Sequence, residues 1–466
     1  MLKSNLFLNY FNNVPTEDQT VALSKLLNFL IDSSQEVFIL RGTAGTGKTS
    51  LITAFVKSLP ANTRCYLLAP TGRAAKVMNS YSGLHTSTIH RHIYYSSNKG
   101  GKFTFTLKAN KEHQTIYIVD EASMLGIGNP DQPQGVLEDL LEYVFSGTSN
   151  KLIFLGDYAQ LPPVGQSLSP ALDEEFLKTF FFLNVSTAQL NEVVRQEKHS
   201  NILLNATLLR NTMNFDNCVF PKLIRGKDFI HLRDKYEIFE KLSDSFDTKK
   251  IDESIILVYS NKRANLYNTQ IRQRILAREN ELDAGDRLMI VKNNYFWLEA
   301  ESPAGFLANG DILEVLQVLR IESKYDFRFA NVKVRMTDLN DQPPFECIVL
   351  LNTLYGETAS LPYEEYSRLL QNLVQEEYGE KANPKRYLKK IIMDNPYANA
   401  IQVKFSYAIT VHKAQGGQWS RVFIEKPFIF RENNDQLEYL RWLYTAITRG
   451  KEEVYLLGFE EDAFEL

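Results

Sequence analysis

The sequence predicts an α/β protein with two parallel-sheet domains, the second of which contains an inserted β module and a helical arm. In the first part of the chain, short β-branched or aromatic runs alternate with helical stretches, which is typical of buried parallel strands joined by crossover helices. These runs are EVFIL (36–40), RCYLLAP (64–70), TIYIVDE (115–121) and KLIFLGD (151–157). The pattern begins again at SIILVYSN (254–261) and ends with RVFIEKPF and EVYLLGF near the C-terminus.

Residues 284–400 do not show the alternation of buried strands and helices seen on either side of them. This difference predicts the insertion. Three segments there resemble antiparallel strands, and Asn309-Gly310 is a favourable hairpin turn. Residues 362–393 predict a helical pair that is broken at Asn383-Pro384. The predicted organisation is a first domain over 1–185, a second domain divided between 186–283 and 401–466, and the insertion over 284–400.

The composition is that of a globular protein and not of a simple nucleic-acid binder. The chain has 466 residues, a length typical of about three domains. Its net charge is −4, so any grip on a phosphate backbone must lie in a local groove. Cys65, Cys218 and Cys347 are far apart and predict no metal site. No apolar run approaches the roughly 18 residues of a membrane span, so we expect a cytoplasmic protein with no membrane partner.

A glycine-rich loop follows the first predicted strand and precedes a helical stretch. Residues 42–49, GTAGTGKT, match GxxxxGK[ST] in full. Such glycines let backbone N–H groups curl around phosphate oxygens at a helix N-terminus. Lys48 would neutralise the β- and γ-phosphates, and the Thr49 hydroxyl would ligate Mg²⁺. The loop predicts a nucleoside triphosphate site, and an ordinary glycine turn is the less favoured interpretation.

Asp120 and Glu121 end another predicted strand, and the carboxyl ends of parallel strands meet at one edge of a sheet. An aspartate there can hold Mg²⁺ through its oxygens. The adjacent glutamate can orient or deprotonate the attacking water in phosphoryl transfer. A solvated acidic loop is the alternative, but the phosphate loop makes it the weaker one. The two motifs together predict hydrolysis of the triphosphate.

Hydrolysis also needs a group that senses the γ-phosphate and a positive charge that stabilises the transition state. Gln160, in GDYAQLPPV after the fourth strand, fits the sensor. Arg195 in EVVRQ and Arg449 in LYTAITRGK are candidate arginine fingers, although an isolated arginine is more often a surface charge.

Eight strings in a fixed order resemble the superfamily 1 helicases of the RecD/Dda-like group. The similarity extends from Gln19 to Arg449, and the strings are GTAGTGKT, APTGRAAK, TSTIHRHI, IVDEASM, GDYAQLPPV, EVVRQ, AITVHKAQGGQW and LYTAITRGK. The resemblance implies two RecA-like P-loop motor domains with an inserted SH3-like β module and helical arm. It implies ATP and Mg²⁺ as cofactors. It further implies a DNA helicase that moves 5′ to 3′ on single-stranded DNA and unwinds forked or tailed duplex.

The resemblance also assigns site residues by position. Gln19 matches a glutamine that reads the adenine base, and Arg195 and Arg449 match arginines that reach the γ-phosphate from the far side of the cleft. Nucleotide contacts are implied at Gly42, Thr43, Ala44, Gly45, Thr46, Gly47, Lys48, Thr49 and Ser50. Contacts with single-stranded DNA are implied at Pro70, Thr71, Arg73, Thr88, His90, Thr410, His412 and Lys413. For the two histidines, a helix-face or core role is the competing interpretation.

Residues 96–114 (SSNKGGKFTFTLKANKEHQ) lie where these helicases have a hairpin that splits the duplex. Phe103 and Phe105 alternate with threonines as in a strand. We hypothesise a short separation pin in which Phe103 contacts DNA, and a core hairpin with both phenylalanines buried is the alternative.

Gln418 and Trp419 end the seventh string. Gln418 stands where many relatives have an acidic residue, which removes support for a ribose contact there. Trp419 is more readily explained as a packed core indole than as a base-stacking residue.

Other functions are compatible with these residues. One is a DNA-stimulated ATPase or translocase that remodels protein–DNA complexes or serves a recombination or repair assembly without processive unwinding. Another is a P-loop phosphotransferase for a small molecule, against which Thr410–Lys413 and the second α/β domain argue. No motif reads the 2′-hydroxyl that separates RNA from DNA. The acidic net charge favours a protein partner for loading, and we expect a monomer.

The pin hypothesis predicts that replacing Phe103 and Phe105 together with alanine lowers forked-duplex unwinding by about tenfold, because base–aromatic stacking is lost. ATP hydrolysis with single-stranded DNA should stay near the wild-type rate. A strand-displacement assay beside an ATPase assay measures both. Unwinding and folding that both stay intact would remove the pin.

Overall fold

The computed structural model contains two parallel sheets and one small closed barrel. It describes residues 10–11, 14–99, 102–128, 135–163, 165–192, 200–213, 220–248, 250–299, 302–337, 339, 341–379, 384–428 and 436–465. Arg195, a predicted arginine finger, lies outside the described residues. Among the described helices, none combines the length and the hydrophobicity that crossing a bilayer requires.

The described strands and helices alternate as expected for an α/β chain. The strands are β1 Val37–Gly42, β2 Cys65–Ala69, β3 Thr86–Thr88, β4 Tyr94–Lys99, β5 Lys102–Leu107, β6 Ile116–Val119, β7 Lys151–Gly156, β8 Val185–Leu190, β9 Phe229–Leu232, β10 Ser254–Val258, β11 Arg287–Ile290, β12 Ile312–Lys324, β13 Phe327–Met336, β14 Phe345–Leu350, β15 Ile401–Phe405, β16 Ala408–Thr410, β17 Trp419–Glu425 and β18 Gly450–Leu457. The α-helices are α1 Glu17–Ile31, α2 Lys48–Ser58, α3 Gly72–Ser82, α4 Ile89–Ile93, α5 Val136–Ser146, α6 Glu174–Phe181, α7 Asn201–Met213, α8 Lys235–Ser245, α9 Asn261–Gln270, α10 Asn352–Tyr355, α11 Tyr363–Tyr378, α12 Pro384–Asp394, α13 Val411–Ala414 and α14 Gln436–Ile447.

The first sheet has the order β3-β2-β6-β7-β1-β8, and its strands are parallel. Strands β1, β2, β6 and β7 correspond to the four predicted runs. These runs are continuously apolar because both faces are buried: Val37 and Ile39 pack into one core, and Phe38 and Leu40 into the other. Strand β8 pairs with β1 along its whole length. Residues 186–190, which the predicted boundary assigns to the second domain, therefore belong to the first sheet.

The second sheet has the order β16-β10-β17-β18-β9 and is also parallel. Its strands come from both sides of the insertion, since β9 and β10 precede the barrel strands in the chain and β16 to β18 follow them. The two predicted C-terminal strands are β17 and β18. The chain thus leaves the second sheet, builds the insertion and returns.

The insertion is a closed barrel of β11, β12, β13, β14 and β15, which agrees with the predicted SH3-like module. Neighbours are antiparallel except β14 and β15, whose parallel pairing begins at Val349↔Ile401. Strand β15 (401–405) was assigned by the predicted boundary to the second domain, but it pairs in the barrel. All five of its residues are buried, but Gln402 and Lys404 alternate with the apolar residues, as in a barrel strand and unlike the continuously apolar strands of the two parallel sheets.

The insertion contains a tight hairpin turn and a helical arm. The tight hairpin lies at Tyr325-Asp326, which join β12 to β13 with positive φ angles of 52° and 65°. Asn309-Gly310 instead ends the long connection between β11 and β12. Helices α11 and α12 form the predicted arm and pack on the barrel, with Leu373 in one cluster with Phe329.

Strands β4 and β5 form an antiparallel hairpin at the position of the predicted pin, with pairing from Tyr94↔Leu107 to Lys99↔Lys102. Its base is anchored, because the Tyr94 hydroxyl donates to Asp139 Oδ2 at 2.5 Å. The turn 100–101 and the side chains of Phe103 and Phe105 lie outside what the structure describes, so the pin remains a prediction.

A buried charge cluster joins the barrel to the second sheet. Asp286 is fully buried and accepts from Arg272 Nε (3.0 Å) and Nη2 (2.9 Å) and from Arg278 Nη1 (2.7 Å). The Tyr407 hydroxyl, between β15 and β16, donates to it at 2.9 Å. Such a carboxylate compensates two guanidinium charges that are themselves removed from water.

Replacing Asp286 with alanine should lower the free energy of unfolding by about 3–5 kcal/mol, because two largely buried arginines lose this counter-charge and Arg272 keeps the partly exposed Asp283 at 3.2 Å. Urea unfolding followed by circular dichroism measures the change. The matched control is Asp252→Ala, since Asp252 holds Arg287 at 2.7 Å but is 57% exposed. Because Asp252 is exposed and Arg287 keeps a second partner in Glu314 at 3.0 Å, this loss should be about 1 kcal/mol or less. Equal losses in the two variants would contradict the prediction.

Candidate functional site

The phosphate loop connects β1 to α2 and has the backbone that its glycines predict. Gly45 and Gly47 have φ angles of 80° and 78°, in the left-handed region that favours glycine. A Cβ on Gly42 would meet Thr46 Oγ1 at 2.8 Å and Lys48 Cγ at 2.9 Å. The loop is therefore wound too closely for side chains at these positions, and its N–H groups gather at the N-terminus of α2.

Lys48 folds back over this loop. Its ammonium donates to the carbonyl oxygens of Gly42 (2.5 Å) and Thr43 (3.0 Å). These contacts hold the charge at the mouth of the loop, where phosphate oxygens can compete for it.

Gln19 is buried beside the loop and fixes it from α1. Its Oε1 accepts from Thr16 N at 3.0 Å in a capping box, and its Nε2 donates to the carbonyl of Thr46 at 3.0 Å. Each end of the amide retains one further hydrogen-bonding position, which is compatible with the implied contact to adenine. Tyr10 and Phe11 also line the cavity. No motif in the sequence indicated these two aromatic residues.

Asp120 and Glu121 follow β6 at the same edge of the sheet. Burial raises the pKa of Asp120 to about 6, and the neighbouring Glu121 carboxylate adds to the rise, whereas Lys48 opposes it. Glu121 has φ 51°, in the left-handed region that non-glycine residues seldom adopt. Strained backbone of this kind persists where the surrounding structure holds it, frequently at functional sites.

Arg449 approaches these carboxylates from the second domain. Its Nη1 lies 3.9 Å from Glu121 Oε1, and the side chain is only 3% exposed. The guanidinium is fixed by the carbonyls of Thr445 (Nε, 3.1 Å) and Gly417 (Nη1, 3.3 Å). The predicted finger at this position therefore reaches across the cleft between the two sheets.

A second arginine at the loop was not predicted. Arg210, on α7, donates from Nη1 to Thr43 Oγ1 at 2.8 Å. It belongs to no motif and is separated from Thr43 by 167 positions in sequence, so no local pattern indicates it.

The cleft encloses a cavity of about 760 Å³. Gln160 lines it, and the Gln160 Oε1 atom is buried without a hydrogen-bond partner among the described residues. Gln418 also lines it. The other predicted site residues in its wall are Gln19, Thr43, Ala44, Gly45, Gly47, Lys48, Thr49, Ser50, Asp120, Glu121 and Arg449. These groups fit a nucleoside triphosphate and Mg²⁺: N–H groups and cations face the phosphates, and the Thr49 and Asp120 oxygens suit the metal.

A second cavity, also of about 760 Å³, lies between the first sheet and the barrel. One wall contains four predicted DNA contacts, Pro70, Thr71, Thr88 and His90. The barrel forms the opposite wall with Lys292, Asn293, Tyr295 and Phe306 among others. The Tyr295 and Phe306 rings stack with centroids 4.8 Å apart. No sequence motif indicates the barrel wall, because only the fold brings these barrel residues to the groove.

The remaining predicted DNA contacts lie elsewhere. Arg73 stacks on Trp419, with its guanidinium carbon 3.9 Å from the ring centroid, and Trp419 is buried as the core interpretation expects. Burial lowers the pKa of His90 and of His412, so both imidazoles are neutral at pH 7. Thr410 is buried at the end of β16 and does not line the groove.

Lys413 has a buried ammonium with no hydrogen-bond partner among the described residues. Burial, and then the positive charge of Lys404, lower the pKa of Lys413 to about 8. An ammonium in such a site gains from an anionic partner.

A phosphate loop, a strand-end Asp-Glu pair and an arginine from a second parallel sheet define a P-loop ATPase with two RecA-like motor domains. Two sequence families match the chain in the same arrangement. The family described as AAA domain covers residues 16–216, and the family described as UvrD-like helicase C-terminal domain covers residues 405–457.

Three relatives extend over nearly the whole chain. The ATP-dependent DNA helicase dda of Enterobacteria phage T4 is 24% identical and is matched over 94% of this chain and 98% of its own length. The RecBCD enzyme subunit RecD of Buchnera aphidicola is 24% identical, over 98% of this chain and 75% of its own length. An uncharacterised protein of Methanocaldococcus jannaschii is 24% identical over 95% of this chain, which spans 38% of that protein. In both matched families and in these relatives, the chain is similar to the superfamily 1 helicases of the RecD/Dda-like group.

The raised pKa of Asp120 predicts the pH dependence of stability in nucleotide-free protein with EDTA. Because the fold favours the protonated carboxyl, wild type loses stability as pH rises through about 6. Asp120→Asn should therefore gain about 1–3 kcal/mol at pH 7.5, and this gain should disappear below about pH 4.

Urea unfolding at a series of pH values measures this difference. Asp32→Asn is the control, since a hydrogen bond from Ser34 lowers the pKa of that exposed carboxylate. It should not gain stability at pH 7.5. A gain for Asp120→Asn that is constant from pH 4 to 8 would contradict the assignment.

Proposed function

We propose that this protein is an ATP-dependent DNA helicase that moves 5′ to 3′ along single-stranded DNA and unwinds forked or tailed duplex. The observation that supports it most is the position of Arg449, which reaches the Asp120-Glu121 pair from the other motor domain. A nucleotide in this cleft is in contact with both domains, so its binding and hydrolysis change their relative positions.

The ATP chemistry follows from the groups that line the cleft. Lys48 and the loop N–H groups hold the β- and γ-phosphates, and Glu121 orients or deprotonates the attacking water. Gln160 senses the γ-phosphate with its amide, and Arg449 stabilises the charge that develops on it. Thr49 and Asp120 would hold Mg²⁺, which would supply charge neutralisation at the phosphate oxygens.

The groove between the first sheet and the barrel is the proposed path of the strand. Thr71 and Thr88 offer hydroxyls for phosphate oxygens, and the stacked Tyr295 and Phe306 offer an aromatic surface for bases. Lys413 adds a buried cation on the second domain. Opening and closing of the ATP cleft moves these two grips relative to each other, which is the requirement for stepping.

The hairpin β4–β5 is the proposed separation pin, and its anchored base supports that role. The net charge of −4 gives little attraction to DNA outside the groove, so we propose a monomer that is loaded by a protein partner. The runner-up is a DNA-stimulated translocase without processive unwinding, for a recombination or repair assembly.

ATP hydrolysis should rise strongly with single-stranded DNA, and Lys48→Ala should lower the stimulated rate by about 100-fold or more, because transition-state charge loses a fixed cation. Steady-state ATPase assays with and without oligonucleotide measure both effects. Lys178→Ala is the control, since that exposed lysine pairs with Glu174 on the same helix and does not line the ATP cavity. A Lys48-dependent rate that DNA does not stimulate would contradict the motor and favour a phosphotransferase.

Tailed duplexes then separate the remaining alternatives. A 5′ single-stranded tail should permit strand displacement and a 3′ tail should not. Stimulated hydrolysis without displacement on either substrate would favour the translocase.

A further inference from the structure

Tyr444 occupies an unusual position between the two motor domains. It lies on α14 of the second domain, is 1% exposed, and directs its hydroxyl into the carboxyl edge of the first sheet. There the hydroxyl donates to Asp157 Oδ2 at 2.5 Å and accepts from the backbone N–H of Ala44, in the phosphate loop, at 3.2 Å. One oxygen atom thus joins the ends of β1 and β7 to a helix of the other domain.

The Asp157 end of this connection reaches the predicted γ-phosphate sensor. Asp157 is buried, and its Oδ1 accepts from Ala159 N at 3.0 Å. Its carbonyl accepts from the backbone N–H of Gln160 at 3.2 Å. Asp157 therefore fixes the turn from which Gln160 enters the ATP cavity.

The same turn of α14 provides a second contact to this loop. Thr445 Oγ1 accepts from the backbone N–H of Leu161 at 2.9 Å, and the Leu161 carbonyl accepts from Gln415 Nε2 at 2.7 Å. Gln415 lies two residues after Lys413, in the segment proposed to hold DNA. The loop after β7 is thereby held between α14 and the DNA-contacting segment.

We propose that Tyr444 is a positioning residue that transmits closure of the two motor domains, driven by DNA, to the phosphate loop and to Gln160. The proposal rests on the proposed function, since it concerns the stimulation of hydrolysis by single-stranded DNA. In the closed arrangement the hydroxyl sets the Ala44 N–H and the Asp157 carboxylate together. When the domains part, both groups lose this partner at once. Burial and the Asp157 carboxylate raise the pKa of Tyr444 well above its usual value, so the hydroxyl remains a donor at every working pH.

The competing explanation is that Tyr444 only packs the domain interface and satisfies its hydroxyl there. Packing depends mainly on the ring, whereas positioning depends on the oxygen atom. Tyr444→Phe keeps the ring and removes the oxygen, so it separates the two. Tyr455→Phe is the matched control, because Tyr455 is also fully buried and its hydroxyl donates to Glu453 at 2.8 Å, within the second sheet and outside the ATP cavity.

The experiment measures kcat and the KM for ATP with and without single-stranded DNA, and the thermal midpoint of each variant. Tyr444→Phe should lower the ratio of stimulated to unstimulated kcat by about tenfold, while the KM for ATP changes by less than about twofold, since a single hydrogen bond to a charged group is lost. Asp157→Asn replaces the charged acceptor with a neutral amide, which weakens the bond from the other side, and should give a loss in the same direction. The double variant should lose no more than either single variant.

The outcomes distinguish the proposal from its foundation. Wild-type protein that DNA does not stimulate would overturn the proposed function and this inference with it. Stimulation that persists in folded Tyr444→Phe, or that falls equally in Tyr455→Phe, would overturn the inference alone. If Tyr444→Phe does not fold, Asp157→Asn and its stimulation ratio decide in the same way.

Discussion

The contact between α14 and the carboxyl edge of the first sheet is the constraint on which the rest of the active site depends. Parallel strands place their polar ends at one edge, and this edge provides the phosphate loop together with Asp120 and Gln160, the proposed metal ligand and the proposed sensor. Arg449, the proposed transition-state cation, comes from the second domain. The proposed ATPase site is therefore complete only when the two domains are closed.

Two buried ionisable groups, Asp120 and Lys413, link closure of the domains to the binding of charged ligands. The Asp120 carboxyl is held near protonation by its surroundings, and the Lys413 ammonium near deprotonation. Each group is destabilised in the absence of a partner of opposite charge. Asp120 favours a cation and Lys413 favours an anion. A motor of the proposed kind binds both, as Mg²⁺ with the nucleotide and as the phosphates of DNA. Binding energy is thus available at both ends of the molecule to draw the domains together.

Much of the fold could be predicted from the sequence because its signals are local. The phosphate loop lies between its strand and helix within a few residues, and the buried strands are continuous apolar runs. The misplaced boundaries have the opposite origin. Strand β8, VSTAQL, is an edge strand and is only partly apolar, and β15, IQVKF, is a short strand that lies only two residues before β16, so no loop signal separates the barrel from the second sheet.

Two residues at the candidate site that no sequence motif indicates, Arg210 and Tyr444, make contacts with residues far away in the sequence. Arg210 meets Thr43 across 167 positions, and Tyr444 meets Ala44 across 400. No spacing rule connects residues so far apart. A tyrosine in LYTAITRGK has the sequence signature of a buried helix residue, and only the packing of two domains shows that its hydroxyl is directed at the phosphate loop.

The insertion is placed where its movement reaches the DNA-contacting segment directly. Strand β15 closes the barrel and ends at Phe405. After two linking residues, β16 begins at Ala408 and leads to Thr410, His412 and Lys413. One of those two linking residues, Tyr407, is bonded to Asp286 at 2.9 Å, which prevents the link from acting as a flexible hinge. A displacement of the barrel toward or away from the first sheet would therefore move the Lys413 segment with it. The barrel wall of the groove and Lys413 thus lie on one side of the ATP cleft, whereas Thr71 and Thr88 lie on the other, so opening the cleft would separate the DNA contacts of the two domains.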